Sequence, residues 1–478
     1  MDKYLIVAEV DKIQSFVFQS SRLREVVGAS HLLEEFCKAI SGDPKKHFPG
    51  ITLDILASGG GSFRIVVEGD EAAVEAVGRD LRETFQREVG GSITITHVPF
   101  EPKQNVIERG NEALRRAKIG GDAPQALWHL PYHAICESSG SELAVAYERP
   151  GGLATERPRY LGPRTREKAK QDAKVAISRE LRATMENLTG LGSIGIHEES
   201  TEPETYAWES RQYVAYMVAD GNHMGAYFDQ CSPNTLHELS EESGKRTLKA
   251  LAEATMHMIE RRPKTFPADT LPVLPLISGG DDLFMLMPAL WAIDVAARYC
   301  KAYEDDETGM TALLRSMNII TSDEKATTGV AVVICKASYP YRIAYQHGHE
   351  LLGAAKKRAK AIGESCLVIN FVVGSDTVVD AKPTLIHTHT GSLYHLTYRY
   401  ALRGLPNRIR HQVDEALLDD ADLKPIINRT KALYPDFDYV DQLAAAAARP
   451  EMLRELLKLW DFALDMQHPR EDYRSTEA

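Results

Sequence analysis

The sequence is poor in the features that would send a chain into a membrane or a disulfide-stapled fold. No run of about 18 apolar residues occurs, so no membrane-crossing helix is expected. Cysteine is scarce and scattered, at positions 37, 136, 231, 300, 335 and 366, with no Cys-x-x-Cys pair. That spacing argues against a disulfide framework and an ordinary zinc ribbon and fits a reducing cytoplasm. An excess of basic charge is also missing. The net charge is −12, so global charge gives no reason to expect nucleic-acid binding, and only a local basic patch could supply it. The N-terminal MDKYLIVAEVDK interrupts its apolar run with acidic residues and reads as a strand rather than a signal peptide.

What is present is an ordinary globular composition, 44% hydrophobic and 26% charged, in a chain of 478 residues, long enough for roughly three domains. Read in order, a strand at Tyr4–Val10 ends at Asp11. An amphipathic helix follows over about 21–40, then a hairpin around Ser58-Gly59-Gly60-Gly61-Ser62, a helix over about 70–89 and a strand at 93–98. A looser region runs from 101 to 206. Its middle, Arg157 to Arg182, is basic and reads either as a solvated helix face or as an RNA or phosphate contact. TGLGSIGIHEES, from Thr189, marks a boundary. From Tyr213 the first pattern returns: a strand to Ala219 ending at Asp220, a long helix over about 234–260, and a second hairpin around Ser278-Gly279-Gly280-Asp281-Asp282. A helix over 290–303, a strand at 329–334, a helix over 341–362 and a strand at 366–373 complete it. Asp11 is expected to correspond to Asp220, and the SGGGS tip to SGGDD. Beyond about Ser392 the chain turns helical and rich in Ala and Leu.

The chemistry concentrates in LISGGDDLFMLM, from Leu276 to Met287. Two apolar strands joined by a short Gly-Asp connection form a hairpin, and its glycines permit positive φ and close approach of a ligand. A solvated Asp-Gly turn has the same composition. Adjacent carboxylates on a rigid tip, however, repel each other unless a cation lies between them, and hard oxygen ligands suit Mg²⁺ or Mn²⁺. If the strand ending at Asp220 lies beside the hairpin, Asp220 joins Asp281 and Asp282, the arrangement that holds divalent ions against a nucleoside triphosphate. The small residues after Asp220 leave backbone N–H groups for phosphate near a helix start, and Lys356 could meet phosphate as a point charge.

DGNHMG followed by SGGDDLF and a helix carrying LLGAAKK resembles the second palm of the CRISPR polymerase, the large subunit of type III CRISPR effectors. VDKIQSFVFQSSRLREVVGASHLL and SGGGSF resemble the first palm of that family, and LPYHAICESSGSELAV its inter-palm segment. The resemblance covers about residues 1–375. It implies an α+β fold with two ferredoxin-like, GGDEF-like palms, each an antiparallel sheet with helices on one face. The expected divisions are a degenerate first palm at 1–100, a linker region at 101–206, a catalytic palm at 207–380 and a helical C-terminal domain at 381–478. It further implies synthesis of a cyclic oligoadenylate or related cyclic nucleotide from ATP with Mg²⁺ or Mn²⁺, in antiviral defence. Carried over by position, Asp220, Asp281 and Asp282 are the metal-binding and catalytic acids. Gly221, Asn222, Gly225, Ser278, Gly279 and Gly280 line the nucleotide, and Lys356 touches phosphate. Expected partners are nucleoside triphosphates, RNA or CRISPR-type effector subunits, and a downstream effector that senses the cyclic nucleotide. The segment around Cys136 has Ser139 where a second zinc-binding cysteine is expected, so zinc is not expected. No HD nuclease domain precedes the first palm, so no DNase activity is expected, and a stand-alone synthase is one organisation considered. Two other readings remain open: a structural palm subunit of an RNA-guided complex, and a diguanylate or mononucleotide cyclase.

Overall fold

A computed structural model describes residues 2–20, 22–100, 106–119, 133–150, 157–170, 177–189, 196, 202–207, 212–260, 269–372, 384–385, 406–435, and positions 443, 444, 447, 448, 450, 453, 454 and 457. Strand β1 (Lys3–Val10) alternates its side chains. Leu5 and Val7 enter one core, and Ile6, Ala8 and Val10 the other, so one short run supports helices on both faces. It is followed by α1 (Ile13–Val17), α2 (Leu23–Gly42) and the short α3 (Pro44–His47). The hairpin β2 (Thr52–Gly59) and β3 (Ser62–Glu68), helix α4 (Glu71–Glu88) and β4 (Ile93–Pro99) close the unit. Asp70 caps α4 by accepting a hydrogen bond from the Ala73 N–H. The four strands form an antiparallel sheet in the order β2-β3-β1-β4. Helices α2 and α4 pack on the Ile6/Ala8 face, and α5 (Val106–Ile119) covers the Leu5/Val7 face.

The connecting region contributes a small ribbon, β5 (Ala146–Glu148) with β6 (Arg159–Leu161), and the helices α6 (Pro163–Lys170) and α7 (Ile177–Thr189). Within the basic stretch expected here, Arg159 and Lys168 turn inward, whereas Arg157, Arg166 and Lys170 stay at the surface and residues 171–176 lie outside the described residues. Arg159 is buried, 3.9 Å from Glu25, and donates to Ser138 Oγ at 3.0 Å. Lys168, 1% exposed, donates to the Phe16 carbonyl at 2.7 Å and lies over the Phe16 ring. Arg157, Arg166 and Lys170 pair with Glu137, Glu148 and Glu167. The stretch anchors the connecting region to α1 and α2. Most of TGLGSIGIHEES lies outside the described residues.

Cys136 stands in Cys-x-x-Ser, and Gly162 and Thr165 hold the same spacing on the facing turn. Burial raises the Cys136 thiol. Hydrogen bonds from the Ser139 and Thr165 side chains and from the Gly162 and Ser139 amides outweigh it and bring the thiol below its ordinary value. One thiol among hydroxyls and a glycine does not fit a zinc knuckle, which needs thiolate or imidazole donors.

The second palm repeats the first. Its elements are β7 (Tyr213–Gly221), α8 (Met224–Gln230), α9 (Pro233–Glu260), β8 (Leu274–Gly279), β9 (Asp282–Pro288), α10 (Ala292–Tyr303), α11 (Met310–Ser316), β10 (Thr328–Lys336), α12 (Tyr341–Ile362) and β11 (Cys366–Phe371). With β12 (Thr384–Leu385) they give the sheet order β12-β11-β10-β7-β9-β8. The hairpin again lies beside the first strand, and that strand beside the fourth. The sheet departs from the expected antiparallel pattern at one pair: β10 and β11 run parallel, joined by the crossover α12. Helices also cover both faces rather than one, α9 and α10 on one side and α12 on the other. Helix α8 is separate from α9 because the ring of Pro233 disfavours helix at the residue before it.

The two palms share a core. Phe18 packs against Phe284 and Tyr345, at centroid distances of 5.6 and 4.3 Å, and Tyr341 donates its hydroxyl to the Ser20 carbonyl. Beyond the second palm, α13 (Asn407–Leu418) and α14 (Lys424–Leu433) are described, and most of the Ala-rich stretch after Val440 lies outside the described residues. No helix among the described residues is long and apolar enough to cross a membrane.

Candidate functional site

The site lies where β7 ends beside the β8–β9 tip. The ladder pairs Ala219 with Leu283, and one step on it brings Asp220 opposite Asp282. Gly279 pairs with Asp282, leaving Gly280 and Asp281 as the two-residue loop. Gly280 has φ of 63°, whereas Asp281 is not among the residues of positive φ, the pattern of a type II′ turn. In the first palm both loop residues are left-handed, Gly60 at 56° and Gly61 at 78°, the pattern of type I′. An aspartate is therefore cheap at the second loop position of the second tip and strained at that of the first.

Lys356 of α12 places its Nζ 2.6 Å from Asp220 Oδ2, with both side chains partly buried. Asp281 and Asp220 are in hydrogen-bond contact. Burial, then the charges of Asp282 and Asp220, hold the Asp281 carboxyl well above the usual carboxylate range. Asp282 meets solvent at its outer edge. The protein around the tip, followed by the Asp220 charge, still pushes it up to about 7, with Lys356 acting in the opposite direction. Among the described residues no group of three or more His, Cys, Asp and Glu side chains is set to hold a metal ion. The chemistry of the donors nevertheless fits a divalent cation. Two carboxyls share a hydrogen bond, a third adjoins them, and Asp281 and Asp282, both raised, would give up protons to a cation placed among the three.

The glycines differ in what they do. A Cβ on Gly279 would lie 3.5 Å from the Gly60 Cα, so the two hairpin tips meet face to face. A Cβ on Gly244 of α9 would lie 3.9 Å from the Gly280 Cα, and Ser278 pairs with Leu283 beneath the tip. Gly221 has no room for a side chain, because a Cβ would run into the Tyr303 hydroxyl and Met224 Cγ and lie 3.0 Å from Asp281 Oδ2. Gly225 sits exposed at the start of α8 with open space at its Cα. Asn222 corrects an expectation. Its N–H donates to the Thr327 carbonyl and its Nδ2 to Thr327 Oγ1, each at 2.8 Å, so its backbone amide is engaged within the fold and not free for phosphate.

Strand register also corrects the pairing of Asp11 with Asp220. In the first palm Ser62 occupies the place of Asp282, and its partner on β1 is Glu9. Glu9, not Asp11, is thus the counterpart of Asp220. Asp11 lies past the strand and accepts from the Thr94 hydroxyl at 2.6 Å. Glu9 is paired with Lys118 of α5 at 3.0 Å, as Asp220 is with Lys356. The correspondence extends to packing. Gly110 of α5 sits on Val7 and Gly348 of α12 on Val218, and each lysine follows its glycine by the same interval. The stretches RGNEALRRAK (109–118) and HGHELLGAAK (347–356) share Gly, Glu, Leu, Ala and Lys in register. That repeat is the sequence signal for Lys118, and it is legible once the strands are aligned.

Comparison with known proteins agrees with this architecture. Residues 213–362 match the family description "Cas10/Cmr2, second palm domain". Among solved structures, a Csm1–Csm4 cassette in complex with AMPPNP aligns with a TM-score of 0.54 at 15% identity, over 97% of this chain and 70% of that one. The cassette in complex with cA4 aligns at 0.53 and 14% identity, and with one ATP at 0.53 and 15%, over the same shares of each chain. No curated protein matches the chain. At these identities the likeness to the solved structures is one of fold. The chain therefore carries two units of one topology joined through a common core, the family match falls on the one that bears the GGDD tip, and the fold is similar to that of the Csm1–Csm4 cassettes.

Proposed function

We propose that the chain is a metal-dependent nucleotidyltransferase that makes a cyclic oligoadenylate, or a related cyclic nucleotide, from ATP. One observation carries the reading: Asp220, Asp281 and Asp282 gather at a glycine-lined tip that meets the carboxylate-free tip of the first palm. Burial, and then neighbouring carboxylate charge, hold Asp281 and Asp282 above the ordinary range; a hard cation offsets both, and Mg²⁺ or Mn²⁺ suits oxygen donors. Such ions, when bound, lower the pKa of an attacking 3′-hydroxyl and offset charge on the triphosphate and the leaving pyrophosphate.

The remaining roles fall to the chain. Asp220, Asp281 and Asp282 hold the cations. Lys356, paired with Asp220, is within reach of a phosphate oxygen and neutralises it as a point charge. Ser278, Gly279 and Gly280 let the nucleotide approach the backbone closely. The facing glycine tip of the first palm supplies the second wall of the cleft. Adenine enters the reading from cassettes of like fold, solved with AMPPNP, one ATP and cA4. Those cassettes pair Csm1 with Csm4, which supports a Csm4-like partner subunit for this chain in a type III CRISPR complex. Of the basic stretch at Arg157–Arg182, Arg159 and Lys168 are committed to contacts within the fold.

The test is incubation of the purified chain with each nucleoside triphosphate and Mg²⁺ or Mn²⁺, alone and with a Csm4-like subunit and target RNA, with products identified by mass spectrometry. A cyclic adenylate formed only with metal is expected. Absence of any cyclic product in every condition contradicts the reading.

A further inference from the structure

Helix α10 carries two tyrosines one turn apart, Tyr299 and Tyr303, whose rings lie 6.0 Å apart behind the GGDD tip. Both are buried, at 0% and 1% exposure, and neither hydroxyl has a hydrogen-bond partner among the described residues. A buried hydroxyl without a partner costs about 1–3 kcal/mol, and native proteins retain few of them without a function. Packing does not require one here, because phenylalanine fills the same space. Helix α4, which stands in the first palm where α10 stands in the second, buries Val74, Val77, Leu81 and Phe85 and no hydroxyl.

The Tyr303 hydroxyl has a specific aim. The place that a Cβ on Gly221, one residue after Asp220, would occupy is filled by the Tyr303 hydroxyl and lies 3.0 Å from Asp281 Oδ2, so hydroxyl and carboxylate converge on the same point. Asp281 is in hydrogen-bond contact with Asp220. We propose that Tyr303 is a positioning residue of the site. Its hydroxyl donates to the Asp281 carboxylate once a divalent cation has replaced the Asp220–Asp281 hydrogen bond, and so fixes Asp281 on the cation. The inference rests on the nucleotidyltransferase reading, since it requires Asp281 to be a ligand. It also explains why position 221 must be glycine: a side chain there would separate the tyrosine from the carboxylate.

The test is Mn²⁺ binding by the full chain, measured by isothermal titration calorimetry for wild type, Tyr303→Phe and Tyr299→Phe. The melting temperature of each metal-free form is measured alongside. Tyr303→Phe is expected to weaken Mn²⁺ binding about tenfold, the worth of one hydrogen bond to a charged group. Its metal-free melting temperature should be unchanged or raised, because an unpaired hydroxyl has been removed. Tyr299→Phe, whose hydroxyl nothing brings against Gly221, should bind Mn²⁺ as wild type does. Equal affinity in wild type and Tyr303→Phe overturns the positioning role and leaves the enzymatic reading intact. Equal weakening in both variants also overturns it, as a general effect of packing. Failure of wild type to bind Mn²⁺ at all overturns both.

Discussion

The two palms have the same topology and opposite charge balance at their tips. In the first, Glu9 faces Lys118 and feels the Arg64 guanidinium, and the tip itself carries Gly61 and Ser62. In the second, Asp220 faces Lys356, the place of Arg64 is taken by Phe284, and the tip adds Asp281 and Asp282. The first arrangement neutralises itself. The second leaves negative charge unbalanced in a partly buried cleft, the condition that calls for an external cation. Duplication alone therefore does not make a site. The carboxylate–lysine pair is common to both halves, and the difference is made by two tip residues and one strand residue.

Arg64 has a further consequence. Its Nε and Nη2 donate to Asn111 Oδ1 at 3.0 and 2.6 Å, and Asn111 Nδ2 donates to Asp229 Oδ1 at 2.6 Å. This chain of bonds runs from the first sheet through α5 to α8, the helix that follows Asp220. What the first palm lacks in tip carboxylates it supplies as an anchor for the second palm's loop.

The largest effect that can break the comparison is expected from making the second tip like the first. Asp281→Gly with Asp282→Ser should lower product formation on the order of 10³-fold, read by mass spectrometry, without changing the far-ultraviolet circular dichroism. Next is the lysine pair. Lys356→Ala should lower turnover roughly 10²-fold, and Lys118→Ala less than about tenfold, in parallel steady-state assays. Equal losses would mean that the two halves contribute alike. The packing glycines should instead behave alike. A Cβ would meet Val7 Cγ2 at 2.6 Å in Gly110→Ala and Val218 Cγ2 at 2.7 Å in Gly348→Ala. Each substitution should cost about 1–3 kcal/mol in urea denaturation. The smallest effect concerns pH. Asp282 is raised to about 7 in the folded chain, so between the ordinary carboxylate range and that value the folded form binds more protons than the unfolded one. Metal-free stability therefore falls as pH rises through that window. Asp282→Asn should raise the melting temperature by about 2 °C at pH 8, an effect discounted for the solvated edge of Asp282, and the gain should vanish near pH 4.

Much of this was legible in the sequence. The GGDD hairpin, the return of the first pattern at Tyr213 and helix α12 follow from apolar periodicity and Gly-Asp turn chemistry. Four matters were not. Register is set by cross-strand pairing, which has no local signature, so Asp11 stood in for Glu9. Helix α11 spans only Met310–Ser316, about two turns, too short for a periodic signal. The burial of Arg159 and Lys168 within the basic stretch was hidden because their partners Glu25 and Phe16 lie more than a hundred residues away in sequence. Tyr303 carried no signal at all, since a tyrosine at helical spacing reads as core, and only the geometry shows its hydroxyl against Gly221.

The central claim, that the second tip is the cation and nucleotide site, is tested most directly by binding. Calorimetric titration of a non-hydrolysable ATP analogue in the presence of Mn²⁺ should show binding to the wild-type chain, and weakening of at least about tenfold in the Asp281→Gly, Asp282→Ser chain. Equal binding by both chains would contradict the account, because the nucleotide would then be held without the carboxylates that distinguish the second palm from the first.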